Sequence, residues 1–534
     1  MKRKAVAAVL TAVMVASMFT GCGSDNGSSS AKSASAASAA SAANDTVDED
    51  GKVNGIMYQE GLPLVDEGDY TFSIFCDDSS ESGEFIMLDE FKKQTNVDVD
   101  LKIYPYETAT ERLNLDLNSG DYADVIGGWT LSDNAILTYG VNQGVFIPLE
   151  DYFEKYCPNI SAILDLPGVR EKMTAPDGHI YTIPYVCTDT TVGYSPYINT
   201  KWLENVGMSM PTTTDEFEAV LKAFKEQDAN GNGDASDEIP FSTDPNNKHI
   251  EAMAGYFGLP MNKLGIAIQN EKVVYGGVSD TYREFLSWFH KLYAEGLVDV
   301  ELYTQDSSTW EGKGNQDLYG VSIAYGSNEF TGIPAAEERG DFDSMPVLNT
   351  DKDGIWLRDT EGFSVYRTQA VITNKAEHPE IICRWFDNAF ALENGIGCNR
   401  GPVGVIVNKE DDGYHAIDTT TLSEEDQEKY SWGNLWPQSL PKYLPVDFEF
   451  VEEHPMYDEK KATEEAYEAN LTKEIIPSYW IDLDKIDTFS DTNTAIKDFF
   501  EQQQAQFVCG ELDIDNDADW QAYVDGMYSL GLED

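Results

Sequence analysis

From Tyr70 to Trp129 the chain alternates between two hydrophobic periods, and this alternation restricts the fold more than any other feature. Tyr70-Thr71-Phe72-Ser73-Ile74-Phe75 has the period of two expected of a strand, and after the loop DDSSESG the apolar residues Phe85, Leu88 and Phe91 recur at helical spacing. Val97 to Ile103 alternates again, and a second helix surrounds Leu113. Asp124-Val125-Ile126-Gly127-Gly128-Trp129 is then a short buried strand opening on a glycine pair. Repeated strand–helix–strand units predict an α/β fold with a parallel, doubly wound sheet. Ligands of such sheets sit beyond the carboxyl ends of the strands, where Asp77, Asp78, Glu81 and Trp129 fall.

A second constraint lies between Pro211 and Pro240. Thr213 is placed to cap a helix, with Glu216 three residues on as the return half of a capping box. Phe217, Val220, Leu221 and Phe224 then form one buried face. Asp228, Asn230, Asn232, Asp234, Asp237 and Glu238 follow, short oxygen ligands at mostly alternate positions around Gly233. Calcium takes about six to eight oxygens, and D-x-N-x-N-G matches the first half of an EF-hand loop. Pro240 excludes a regular second helix. The expectation is therefore a half EF-hand whose Ca2+ is a structural staple, since nothing can swing open as in a sensor. Asn, Gly and Asp also dominate metal-free turns, but here the alternation, the glycine and the late carboxylates coincide.

The N-terminus addresses compartment. Lys2, Arg3 and Lys4 precede an apolar run from Ala5 to Phe19 that is too short to span a bilayer. Phe19-Thr20-Gly21-Cys22 resembles a bacterial lipobox, so residues 1–21 read as a lipoprotein signal peptide and Cys22 as the lipidated N-terminus. Residues 22–65 read as a low-complexity, Ser/Ala-rich tether. A lipid anchor on the outer face of the membrane is then the chain's membrane contact. The formal net charge of −59 argues against nucleic acid and anionic lipid as partners, while 41% hydrophobic residues exclude a disordered chain. The six remaining cysteines are widely spaced and read mostly as free buried thiols, Cys383 and Cys398 being the pair most compatible with a bridge.

Six segments in order, SGDYADVIGGW at 119–129, DGHIYTIP at 177–184, INTKWLENVG at 198–207, the PTT…DEIP stretch, LYAEGLVD at 292–299 and ITNKAEHPEI at 372–381, carry a family likeness. The chain resembles the extracellular solute-binding proteins (family 1) of ABC importers, in particular the large calcium-bearing, oligosaccharide-binding lipoproteins that include alginate-binding members. The resemblance implies two α/β lobes closing on ligand about a hinge, with residues 66–190 plus 364–400 in one and 191–363 plus 401–534 in the other. Crossings are expected near 188–196, 360–366 and 398–404. It further implies a monomer that presents an oligosaccharide to ABC permease subunits.

A sugar binder needs flat aromatic faces for pyranose rings and polar side chains for hydroxyls. Trp129 is the leading candidate and Tyr325 the second, followed by Trp310, Trp356, Trp432 and Trp436, with Asp77, Asp78, Glu81, Asn328 and Arg400 as polar partners. Trp202, Trp288, Trp385 and Trp520 fit core patterns. The chain has no H-E-x-x-H, G-x-S-x-G, P-loop or post-strand G-x-G-x-x-G motif, so the expectation is a binding protein without catalysis. The alternatives are a surface-tethered glycan-degrading enzyme, or the same fold binding a peptide or an acidic sugar. The acidic version requires Arg358, Arg367 and Arg400 to converge.

Overall fold

The computed structural model describes residues 45–533 apart from 79–83, 245–248, 333–339, 446–447, 449 and 452–454. Cys22 and Glu81 lie outside the described residues.

The first body is built on β1 (Tyr70–Asp77), α1 (Ile86–Thr95), β2 (Val97–Tyr104), α2 (Tyr106–Ser119) and β3 (Val125–Gly127), the alternation read from the sequence. β4 (Thr182–Thr188) completes the run before the chain crosses to the second body. There β5 (Ser195–Asn199), α3 (Thr214–Glu226), β6 (Ile239–Thr243), α4 (Asp280–Ala294), β7 (Tyr319–Ala324) and β8 (Phe342–Ser344) follow, and β9 (Phe363–Ile372) returns the chain to the first.

The first sheet has the order β2-β1-β3-β9-β4, and the second β8-β5-β7-β6. β2, β1 and β3 are parallel, as are β6 and β7, but β9 is antiparallel to both its neighbours and β5 to β7. Both sheets are therefore mixed rather than mostly parallel. A strand arriving from the other body enters at the crossing, where the carboxyl ends of its neighbours already lie, and must run against them.

Each sheet is buried on both faces by alternate residues. In the first, Phe72 and Ile74 join a core with Phe91 and Trp385, while Phe75, Ile126 and Val371 face Leu113 and Tyr181 on the other side. In the second, Ile198, Val321 and Ile323 pack with Trp202, Phe217 and Phe289, and Tyr197 and Tyr319 turn to Trp310 and Phe330. Local signals hold where they were strongest. Thr213 accepts from the Glu216 amide, and Glu216 reaches back one residue further than a capping box, to the Thr212 amide. Ser279 caps α4 by accepting from the Tyr282 amide.

The chain leaves the first core later than the expected crossing at 398–404. α6 (Leu392–Arg400), which follows α5 (Pro379–Ala389), keeps Cys398 in that core, and Trp436, Leu440 and Tyr443 pack there too. The second core is regained in α7 (Pro455–Tyr467) at Tyr467. Trp480 then packs on the outer face of the first sheet before α8 (Ile486–Cys509) returns to the second core. Residues 401–534 are thus shared between the bodies, because Trp436 and Leu440 bury their area against Phe91 and Trp385.

Candidate ligand-binding cleft

At the carboxyl end of β1, Asp77 is fully buried and its two carboxylate oxygens accept from the Trp129 and Thr130 amides, at 2.9 and 2.6 Å. Burial pushes its carboxyl above the usual range, and these amides oppose the shift. The nest exists because Gly128 follows β3 at φ +132°, where an added Cβ would stand 2.1 Å from Asp77 Oδ1. Asp77 therefore aims Trp129, which is 46% exposed, and offers little to a ligand itself. Asp78 is likewise buried, accepting from the Gln438 amide at 2.8 Å. Gly128→Ala combines a backbone that non-glycine residues avoid with eviction of Asp77. A loss of about 2–4 kcal/mol is expected in denaturant unfolding.

Trp129 meets two rings absent from the sequence candidates. Tyr185 on β4 and Tyr366 on β9 are register partners across the strands and stack at 5.5 Å and 19°. Trp129 stands edge-on to both, at 6.4 Å from Tyr185 and 5.4 Å from Tyr366. The buried Lys442 places its ammonium 5.9 Å from the Tyr185 centroid and 5.2 Å from that of Trp432, which is 58% exposed. Four aromatic rings with a cation behind them thus line this side.

The facing group stands at the carboxyl end of β7. Tyr325 lies edge-on to Tyr194 at 6.0 Å, and Tyr194 stacks on His249 at 4.0 Å. The half-buried Asn328 opens the next helical turn. Both groups converge on Asp189 in the first crossing, which accepts from the Tyr325 hydroxyl at 3.4 Å and the Ser364 hydroxyl at 2.5 Å. Burial, with the Asp189 charge adding to it, raises the pKa of the Tyr366 hydroxyl. Tyr185, Tyr366, Tyr194 and Asp189 had a signal in the sequence: all lie within or beside expected crossings.

The loop after α3 sits at the other end of the second sheet, since it feeds the amino end of β6 while the cleft lies beyond the carboxyl end of β7. Gly231 and Gly233 turn it at φ +74° and +95°. Asp228 Oδ2 accepts from the Gly233 amide and Glu238 Oε1 from the Ala229 amide, at 3.0 and 2.9 Å. Their other oxygens, Asp228 Oδ1 and Glu238 Oε2, are buried and meet no donor. Two buried, unpartnered carboxylate oxygens in an all-oxygen loop fit a hard divalent cation. Asn230 and Asn232 accept from the amides two residues on, and Asp234 accepts from Ser236. Asp237 instead binds within the loop, its oxygens accepting from the side-chain amides of Asn230 and Asn232. Burial, with Asp237 adding to it, raises the Glu238 carboxyl above its ordinary value.

The bacterial extracellular solute-binding protein family matches residues 78–395, more than half of the chain. The chain belongs to this family. It is 31% identical over 411 residues to the fructooligosaccharide ABC transporter substrate-binding protein FusA of Streptococcus pneumoniae, covering 74% of this chain and 70% of FusA. The structure of S. pneumoniae FusA in complex with kestose superposes with a TM-score of 0.77 at 26% identity, covering 87% of this chain and 96% of that one. That of a FusA EF-hand mutant with fructo-nystose gives 0.74 at 27% identity over the same shares. Lipoprotein LipO of Bacillus subtilis is 28% identical over 280 residues, 51% of this chain and 52% of LipO. The two bodies are the lobes of a periplasmic-binding-protein-like fold.

Not every candidate reaches the cleft of this solute-binding protein. Trp310, Trp356 and Trp436 are 2%, 2% and 0% exposed and belong to the cores. Trp310 donates to Ser322 Oγ, Trp356 lies between Tyr256 and Tyr467, and Trp436 stacks on Trp385. Each sits in a loop or short helix whose local sequence does not reveal which way it turns, and the area of an indole favours burial. Arg400 packs against Phe450. Arg358 pairs with Glu468, and Arg367 pairs with Asp133 beneath Trp480. Each of the three arginines is thus engaged by a different protein group, Glu468, Asp133 and Phe450 respectively for Arg358, Arg367 and Arg400.

Proposed function

We propose that this solute-binding protein is a lipid-anchored receptor that captures a neutral oligosaccharide outside the cell and delivers it to an ABC importer. The observation that carries the reading is the aromatic wall of Trp129, Tyr185, Tyr366 and Trp432 facing Tyr325 across the crossings. Flat rings match the apolar faces of sugars, and the dispersal of the three arginines disfavours an acidic ligand. The oligosaccharide named for FusA and the lipoprotein name of LipO support the ligand class and the anchor at Cys22. Sugar touching both lobes binds the closed form better and shifts the population toward it. Permease subunits then recognise the closed form.

Calcium would be held by Asp228, Asn230, Asn232, Asp234 and Glu238, with Asp237 orienting the two asparagines, and would brace the loop between α3 and β6. The test is calorimetric titration of the mature protein with neutral tri- to pentasaccharides, kestose among them, followed by analysis of the recovered sugar. One-to-one binding with the sugar returned intact is expected. Shortened sugar would convert the reading to a glycan-degrading enzyme.

A further inference from the structure

The first crossing and the loop bearing Tyr325 are fastened to a single helix, α7, and the crossing at 360–366 is tied in turn to the first. Glu459 accepts from the Ser327 amide and hydroxyl, at 2.9 and 2.5 Å, and so holds the loop after β7. Glu464, one turn on, accepts from the Thr191 amide and hydroxyl at 2.6 and 3.0 Å and so holds the first crossing. Between them Lys460 is 7% exposed; its ammonium stands 3.7 Å from the Tyr325 ring centroid and donates to the Gly193 carbonyl at 2.7 Å. The Gly193 amide in turn donates to Asp359 of the second crossing at 2.7 Å, and the Asp359 amide donates back to Thr191.

Lys460 thus touches both a cleft ring and the backbone of a crossing through the same charged atom. Glu459 faces it from α7 itself, Glu329 from the turn after β7, and Asp189 and Asp359 from the two crossings. Burial pushes Lys460 down to about 8 and Asp359 up to about 6, so both carry charge near neutrality despite their desolvation. For Lys460 the unfolded chain holds the proton longer, so the charged form lowers fold stability and stability rises with pH above about 8. For Asp359 the fold holds the proton longer, so stability falls as pH rises toward about 6. Two charges that fold stability alone would discard are held on either side of Gly193 in the first crossing, Lys460 at its carbonyl and Asp359 at its amide.

We propose that Lys460 is the positioning residue that couples ligand contact at Tyr325 to the geometry of the crossings. One face of the ring is taken by the ammonium, so a sugar on the other face and the Gly193 carbonyl are joined through one cation. Closing on ligand and setting the hinge become a single event. This rests on the sugar-binding reading for its ligand arm alone.

The experiment compares mature wild type with Lys460→Met and Lys460→Arg. Without sugar, amide hydrogen exchange at Gly193 and Asp359 is expected to quicken about tenfold in Lys460→Met and to return toward wild type in Lys460→Arg. With kestose and the neutral pentasaccharides, Lys460→Met is expected to bind about tenfold more weakly and to compact less in small-angle scattering, with Lys460→Arg restoring both. Wild-type affinity should decline above pH 8 and that of Lys460→Arg should decline less. Lys442 is also pushed down to about 8 by burial, so the difference between the two profiles is the signature. Unchanged exchange and unchanged compaction in Lys460→Met would overturn the proposal. A wild type indifferent to every sugar would overturn the carbohydrate reading instead, and the exchange comparison would still decide the role of Lys460. If Lys460→Met does not fold, the exchange and pH profile of Lys460→Arg decide it.

Discussion

Chelating calcium is expected to lower the melting temperature of the wild type by roughly 5–10 °C, and Asp228→Ala to melt there with or without the metal. A ligand present at a hundred times its dissociation constant stabilises the folded state by about 2.7 kcal/mol. For a lobe of this size each kcal/mol moves the midpoint by about 2–4 °C. Asp228 is the sharpest substitution because its Oδ1 is one of the two buried oxygens without a donor, while Oδ2 also holds the Gly233 amide. Acid should weaken the metal, since Glu238 must be ionised to bind it and burial raises its carboxyl. Sugar affinity should stay within about twofold, because the loop is at the amino end of β6 and the cleft at the other end of that sheet. A wild type whose melting ignores chelator would remove the staple.

What was legible in advance follows the range of the interactions. α3, its cap and the glycine-turned loop depend on residues within one or two turns of each other, and their periodicity carried them. So did the first three strands, each next to its βα partner in sequence. The sheets as wholes were not legible, because β4 and β9 are neighbours only after the chain has visited the other lobe and come back. The same long return pairs Tyr185 with Tyr366, two tyrosines unremarkable in their own segments. Tryptophans misled for the complementary reason. Trp356 and Trp129 both sit in polar loops, and only the packing partners, Tyr256 and Tyr467 for one and the Asp77 nest for the other, decide which is buried and which is shown.

That difference sets the second large effect. Trp129→Ala is expected to weaken sugar binding about 30-fold, the size of a truncated hot-spot aromatic near 2 kcal/mol. Its stability should fall by only about 1 kcal/mol, since the ring is 46% exposed and its protein contacts are the edge-on ones to Tyr185 and Tyr366. Trp129→Phe, which keeps a flat face on the same nested backbone, should recover most of the affinity. Gly128→Ala should show the opposite balance at first, a large loss of stability, and then lose affinity as well, because the Trp129 amide no longer has Asp77 to hold it. Separating the two quantities matters: a ring that served the core would cost stability when removed, whereas a ring that serves the ligand costs affinity. Calorimetric titration and thermal melting of the same three variants distinguish these cases, and Trp129→Ala binding within threefold of wild type would take this ring out of the cleft and leave Tyr366 and Trp432 to carry the wall.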